Sequence, residues 1–309
     1  MGFVSILVAL LLEQARPLSR GNTVHLLSRM WVRAVGRSLD TGRHHHAALA
    51  WTVGVLVPGL LAAVVYWAVL SAFGWPFAVL WNIAVLYVTL GFRQFSFHFT
   101  EIRNALDASE SEQARQRLAA WRHVDLASLP RDEVVRQVVE HSVLAAHRHV
   151  FGVLAAFSIA SVLGLGPAGA VVYRLGEFVP RYWKVHSEPA LQPVSEQLQA
   201  LAARCWHVID WLPARITAVG FAVVGSFEEA IESWRRRARA GTPGNDAIIL
   251  AATAGAVNLR LQDETQEGGE QPGAKPEVGH LRTVVGLVWR TVLMWMILLA
   301  LLTLARLLG

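Results

Sequence analysis

The sequence predicts an all-α fold: a polytopic integral membrane helical bundle with a cytoplasmic helical insertion. Hydrophobic residues make up 54% of the 309 residues and charged residues only 17%, whereas a soluble domain carries roughly 25% charged residues. The mean hydropathy is +0.39, and uncharged segments of membrane length recur along the chain. Cys205 is the single cysteine, which excludes an intrachain disulfide and a Cys-x-x-Cys metal site.

The N-terminal region, residues 1–46, is predicted to form interfacial basic helices. The apolar segment Met1–Leu12 is too short to span a hydrocarbon core of roughly 30 Å, so we expect an interfacial or re-entrant helix. Arg29, Arg33 and Arg37 recur every fourth residue and share one helical face. The opposite face carries Leu26, Leu27, Met30, Trp31 and Val35. This pattern favours a helix on the anionic cytoplasmic leaflet.

Residues 47–92 are predicted to form a transmembrane hairpin. Ala47–Phe73 contains no charged residue, and Trp75–Phe92 follows without one after almost no loop. Gly74 and Pro76 provide the residue types of a tight turn. Both flanks of the hairpin therefore lie on one side of the membrane, and the basic N-terminal region predicts that this side is the cytoplasm.

Residues 93–149 are predicted to form the cytoplasmic helical insertion. This segment contains eight arginines and eight acidic residues, mixed with the spacing of solvated helices. Pro130, with Asp132 and Glu133 just after it, is typical of a helix start.

The remaining residues, 150–309, are predicted to form a transmembrane bundle with spans at 150–173, 208–227 and 283–305 joined by polar loops. The 208–227 span is ambiguous because Asp210 and Arg215 lie near one end. A crossing is favoured because it returns the basic segment 235–239 to the cytoplasm. The chain is thus predicted to be a multi-pass protein of the bacterial-type cytoplasmic (inner) membrane with four or five spans.

The formal net charge of +5 would suggest nucleic acid for a soluble chain. Here the basic residues flank predicted spans, and no nucleic-acid-binding motif is visible. The predicted partner is the lipid bilayer, a membrane protein partner is left open, and no nucleic acid is predicted.

Three segments resemble motifs of one membrane family. They are residues 106–140, in the order "ARxxL…GRDT…EIxRAxVES"; Asp210-Trp211-Leu212-Pro213-Ala214-Arg215, similar to "NWIPAR"; and 243–261, similar to "SPNAG…AAMAGALGVRL". A weaker similarity is the apolar run that ends at Glu13. On these motifs the chain resembles the CobD/CbiB cobalamin-biosynthesis family, whose enzymes make adenosylcobinamide phosphate.

The chain also departs from the motifs of that family. Leu144 and Ala145 stand where the family has an acid and an amide, Pro180 replaces an aspartate, and Trp206-His207 replaces a pair of aspartates. Leucine, proline and tryptophan cannot ligate the Mg²⁺ that neutralises phosphate in such chemistry. In this respect the chain resembles the divergent AmpE-type branch of the family.

The resemblance implies a non-catalytic sensor, accessory or ligand-binding component, with no catalytic residue and no cofactor assigned. The alternative is an amide-forming ligase of the adenosylcobinamide-phosphate synthase type, and only that reading implies Mg²⁺ and a nucleotide. A transporter is a third hypothesis, made less attractive because the predicted spans contain few ionisable residues.

The candidate ligand-binding residues are Asp125, Arg136, Glu140, Asp210, Arg215 and Asn245, and no metal site is predicted. Arg136 and Glu140 are four residues apart on a predicted helix and are expected to form an ion pair. Asp210 and Arg215 are open to two interpretations: an ion pair that fixes a helix end, or a site for an anionic ligand.

Overall fold

The computed structural model describes residues 2–16, 23–41, 43–108, 110–122, 130–185, 194–241, 244–261 and 273–308, with the backbone alone for 44, 92–98, 122, 185 and 306–308. Within these ranges the regular structure is helical, and the β-type pairing is one isolated bridge between Leu259 and Ala274. The predicted all-α class, a helical bundle with membrane-length helices, is confirmed.

The chain divides into two compact units. The first comprises Met1–Gly91 and Arg148–Pro213, and the second comprises Phe92–His147 and Ala214–Gly309. The borders at Gly91 and His147 lie within two residues of the limits predicted for the 93–149 insertion, but the structure groups that segment with the C-terminal part of the chain.

The first unit is built from the helices of both of its segments. They are α1 (Gly2–Ala15), α2 (Thr23–Leu39), α3 (His44–Trp51), α4 (Val57–Phe73), α5 (Trp75–Thr89), α9 (Gly152–Val162), α10 (Ala168–Val185) and the first half of α11 (Glu196–Val224). Helices α1 and α4 both pack against α5, and α10 packs against α4 and α9.

The second unit contains the remaining helices. They are α6 (Phe92–Asp107), α7 (Ser111–Arg122), α8 (Arg131–Ala146), the second half of α11, α12 (Phe227–Arg239), α13 (Asn245–Ala256) and α14 (Val278–Leu308). Helix α8 packs against α6, α7, α13 and α14. Val134, Val135, Val138 and Val139 are buried, so the apolar positions of α8 form part of the interior of this unit.

Four helical runs are long and apolar enough to cross a membrane. They are His45–Phe73, Arg131–Val162, Glu196–Val224 and Val278–Ala305. Two of these runs continue through π-helical turns, at Thr52–Leu56 and His147–Phe151. The predicted spans 47–73 and 283–305 lie within two of these runs. The predicted span 208–227 lies within a third run up to Val224, where that run ends.

The prediction of one continuous span over residues 150–173 is wrong. Helix α9 ends at Val162, and α10 begins at Ala168. Gly164 and Gly166 between them have φ values of 76° and 55°, a conformation that glycine adopts without the steric cost of a side chain. A Cβ on Gly166 would lie 2.5 Å from the Tyr66 ring. Hydropathy does not detect this turn because the whole segment lacks charge.

The predicted hairpin turn at Gly74 is present between α4 and α5. Gly74 has φ 81°, and its N–H donates to the carbonyl of Leu70. Helix α5 ends at Thr89 and α6 begins at Phe92, so the predicted span 75–92 contains a break near its end. At 15 residues, α5 is shorter than the membrane-length runs.

Candidate functional site

The motif at residues 210–215 lies within the long helix α11. Pro213 is inside this helix, where its missing N–H and its ring usually bend the backbone. Asp210 belongs to the first unit and Arg215 to the second.

Asp210 is a buried carboxylate, 1% exposed. The hydroxyl of Tyr173 on α10 donates a hydrogen bond of 2.8 Å to its Oδ1 atom. Tyr173 is itself fully buried and contacts Trp206 edge to face, with ring centroids 5.1 Å apart. Burial of a carboxylate requires a strong donor, and Tyr173 supplies one from a helix 37 residues earlier in the chain.

Gly152 makes the placement of Tyr173 possible. A Cβ at position 152 would overlap the Tyr173 hydroxyl, so only glycine fits between this part of the chain and the phenol. Local spacing in the sequence carries no signal for this contact, because Gly152, Tyr173 and Asp210 lie on three different helices.

Arg215 contacts Asn245 at the beginning of α13. Its Nη1 donates to the Asn245 side-chain carbonyl oxygen at 3.3 Å, and Asn245 is buried. Gly244 precedes the helix as its N-cap residue, so the partial positive charge of the helix start adds to that of the guanidinium. The structure thus brings together two candidate residues that the sequence separates by 30 positions.

Arg136 and Glu140 form the predicted ion pair, which is confirmed. Arg136 Nη1 lies 2.5 Å from Glu140 Oε1. The same arginine donates through Nε and Nη2 to both oxygens of Glu133, at 2.7 and 2.5 Å, and through Nη1 to the carbonyl of Leu261 at 3.2 Å. Glu133, three residues before Arg136, belongs to this cluster, although the sequence did not single it out as a ligand-binding candidate.

The Glu133–Arg136–Glu140 cluster joins two of the resembling motifs. Leu261 ends the third motif, and its carbonyl binds the arginine that lies at the end of the first. With two carboxylates around one guanidinium, the cluster has a net negative charge and its arginine already holds both carboxylates. The candidate Asp125 lies outside the described residues.

Apolar packing occupies several positions where the family motifs carry acids or amides. Leu144 is partly buried and Ala145 is buried on α8. His147, close to them, is fully buried and shares a 2.9 Å hydrogen bond with the hydroxyl of Thr217. Pro180 lies inside α10, and Trp206 packs on Tyr173.

Among the residues that the structure describes, no three histidine, cysteine, aspartate or glutamate side chains cluster in a way that could hold a metal ion. Glu133 and Glu140 both form ion pairs with Arg136. The residues described here thus offer a carboxylate–tyrosine pair, an arginine–asparagine pair and an arginine held by two glutamates.

Comparisons with known proteins assign nearly the whole chain to one protein family. The CobD/CbiB protein family model matches residues 7–293. The chain is 29% identical over 312 residues, 96% of each chain, to the cobalamin biosynthesis protein CobD of Stutzerimonas stutzeri. It is 28% identical to the cobalamin biosynthesis protein CobD of Chromobacterium violaceum, over 69% of this chain and 67% of that protein.

A protein of the same description from Leptospira interrogans is 25% identical over 66% of this chain and 63% of its own length. No solved structure shows a significant match. With a family model that covers nearly the whole chain and a relative aligned from end to end, this chain belongs to the CobD/CbiB family of membrane proteins.

Proposed function

We propose that this chain is a non-catalytic, ligand-binding member of the CobD/CbiB family, of the AmpE type, which acts as a sensor or accessory component in the bacterial cytoplasmic membrane. The observation that carries the proposal is the packing at Leu144, Ala145, Pro180 and Trp206, where the family motifs have acids or amides. Four membrane-length helices support a multi-pass topology.

The chemistry of the synthase reaction makes these positions informative. Activated amide formation develops charge on phosphate groups, which Mg²⁺ held on carboxylates usually neutralises. Aliphatic and aromatic side chains provide no oxygen ligand. Arg136 is held by Glu133 and Glu140, so this cluster supports a structural link more than phosphate neutralisation.

The ligand class follows from Arg215 and Asn245. A guanidinium and an amide at the start of a helix provide donors and positive potential for a carboxylate or phosphate group. Asn245 is buried and Arg215 is partly buried. We therefore expect that only a small anionic group can reach both side chains. We therefore expect an anionic metabolite, with a membrane protein partner as the receiver of the signal.

The second candidate function is amide-forming ligation in cobalamin biosynthesis, of the adenosylcobinamide-phosphate synthase type. The names of the relatives favour it, since each is described as a cobalamin biosynthesis protein. The presence of Glu133, Arg136 and Glu140 at family motif positions also favours it. In that case Mg²⁺ and a nucleotide would be required.

Complementation separates the two functions. The chain would be expressed in a bacterial strain that lacks its cobinamide-forming enzyme, with the Stutzerimonas stutzeri relative as positive control and membrane expression verified for both. The non-catalytic proposal predicts growth only with the relative. Rescue by this chain, lost in Asp125→Asn or Glu140→Gln, would replace the proposal with the synthase function.

The accessory role has its own test. Purification of the tagged chain in mild detergent should recover a membrane protein in a constant molar ratio to the chain. Arg215→Gln, which removes a donor from the proposed ligand site, should change that ratio. Recovery of the chain alone from its native membrane would contradict the accessory role.

A further inference from the structure

Helices α2 and α10 bring three arginines within electrostatic range of one imidazole. The ring of His25 on α2 lies 6.0 Å from the ring of Phe178 on α10. Arg29, one turn after His25, and Arg174 and Arg181, on either side of Phe178, all act electrostatically on His25. The sequence predicted a basic face on α2, and the structure adds two arginines from a helix about 150 residues later.

One carboxylate lies among these three arginines. Glu177 is buried and accepts from Arg174 Nη1 at 3.0 Å and from Arg181 Nη2 at 3.2 Å. Burial and the neighbouring arginines lower the pKa of His25, so the imidazole is neutral at neutral pH. With three arginines against one glutamate, the group carries excess positive charge, and two of its arginines, Arg29 and Arg181, are exposed.

The backbone of α2 is fixed beside α10. Val32 and Val35 are buried, and the indole N–H of Trp183 on α10 donates to the carbonyl of Val32 at 3.4 Å. A Cβ on Gly36 would lie 3.1 Å from the same indole nitrogen. The helix that carries Arg29 is thus fixed beside the helix that carries Arg174 and Arg181, which favours a preorganised anion site.

The free flank of α2 is apolar and exposed. Leu26, Leu27 and Met30 are each more than half exposed, and Trp31 is 39% exposed. Helix α2 ends at Leu39, and the membrane-length run begins at His45. An amphipathic helix at this place buries its apolar flank among acyl chains, with its arginines at the level of the lipid phosphates.

We propose that Arg29, Arg174 and Arg181 bind the phosphate group of an anionic phospholipid, such as phosphatidylglycerol or cardiolipin. Guanidinium groups match phosphate oxygens with paired hydrogen bonds. The acyl chains of the same lipid would lie along Leu26, Leu27 and Met30. This site uses residues other than those of the proposed ligand site and does not depend on the proposed function.

Native mass spectrometry of the full-length protein in detergent tests the proposal. Wild-type protein titrated with phosphatidylglycerol and with phosphatidylcholine should bind the anionic lipid more tightly. Each arginine near an anionic lipid contributes about 1 kcal/mol, about fivefold in affinity, so Arg29→Gln/Arg181→Gln should weaken phosphatidylglycerol binding roughly 25-fold. Arg181 is 54% exposed, so its replacement disturbs little packing.

The matched control is Arg235→Gln/Arg239→Gln, which removes the same charge from exposed positions of α12. This variant should keep most of the wild-type affinity, and all variants should unfold at similar temperatures. If the first double variant fails to fold, Arg181→Lys should still show an intermediate affinity. Equal losses in both double variants, equal binding of phosphatidylcholine, or displacement of the lipid by inorganic phosphate would each overturn the proposal.

Discussion

At the scale of single residues, Asp210 accepts a hydrogen bond from a buried phenol. Its carboxylate is 1% exposed, and Tyr173 donates to it at 2.8 Å. A buried acceptor that loses its donor retains its desolvation cost, typically about 1–3 kcal/mol. The pair is therefore a determinant of stability in the first unit, whatever ligand the protein binds.

Tyr173→Phe should destabilise the protein by about 1–3 kcal/mol, because the ring still fills its space while Asp210 loses the hydroxyl donor. Thermal unfolding in detergent would measure the change. Tyr66→Phe on α4 is the matched control, since it removes a hydroxyl from a partly exposed tyrosine. A Tyr173→Phe protein as stable as wild type would show that the hydrogen bond contributes nothing net.

The acid sensitivity of the first unit should depend on His25. Burial is the main cause that lowers its pKa below 6.5, followed by Arg174, Arg29 and Arg181, with Glu177 opposing them. A lowered pKa in the folded state means that unfolding favours proton uptake. This contribution to stability is thus present above the unfolded pKa and is lost as pH falls through the folded value.

His25→Gln should therefore reduce the loss of thermal stability between about pH 7.5 and about pH 5. The unfolding temperature of wild type and variant would be compared across that range, with His45→Gln at an exposed position as control. An unchanged pH profile for His25→Gln, or an equal effect of the control, would contradict the assignment.

At the scale of elements, close contact between α12 and α13 positions Asn245. A Cβ on Gly255 of α13 would lie 2.2 Å from the carbonyl oxygen of Glu229 and 2.5 Å from the Cα of Ala230, both on α12. The two helices can approach this closely only because position 255 has no side chain. The position of Asn245 at the beginning of α13 thus depends in part on Gly255 near the other end of the helix.

Gly255→Ala should separate α12 from α13 and destabilise the protein by about 1–3 kcal/mol, the usual cost of overpacking. Weaker binding of an anionic ligand should accompany it, because Asn245 moves with α13. Gly286→Ala on α14 is the control: nothing lies within 4 Å of its Cβ position, and alanine has the higher helix propensity. Equal stability of the two variants would contradict the packing argument.

Helix ends and contacts that depend on residues close together in the sequence were predictable. Pro130 before α8 and the Gly74 turn between α4 and α5 were both identified, and the Arg136–Glu140 pair follows from helical spacing. The contact of Arg215 with Asn245 was not predictable from spacing, since 30 residues separate the partners. The same holds for Tyr173 and Asp210, which meet through packing of separate helices.

At the scale of the whole molecule, hydropathy identified membrane character but not every helix boundary. The uncharged segment 150–173 contains a turn that depends on two glycines with positive φ, and composition averages over such a turn. The run Arg131–Val162 begins inside the predicted cytoplasmic insertion. Sidedness therefore has to be measured at points away from these ambiguous borders.

Cysteine accessibility in intact cells tests the predicted topology. In a Cys205→Ser background, which has no other cysteine, Glu112→Cys and Ala240→Cys introduce exposed thiols in segments predicted to be cytoplasmic, and Ser71→Cys introduces one beside the Gly74 turn. A membrane-impermeant thiol reagent should label Ser71→Cys alone, because the basic flanks hold the other two sites inside. All three should react after the membrane is opened. Labelling of Glu112→Cys in intact cells would place the 93–149 segment outside, and labelling of Ala240→Cys together with Ser71→Cys would contradict the predicted cytoplasmic side of residues 235–239.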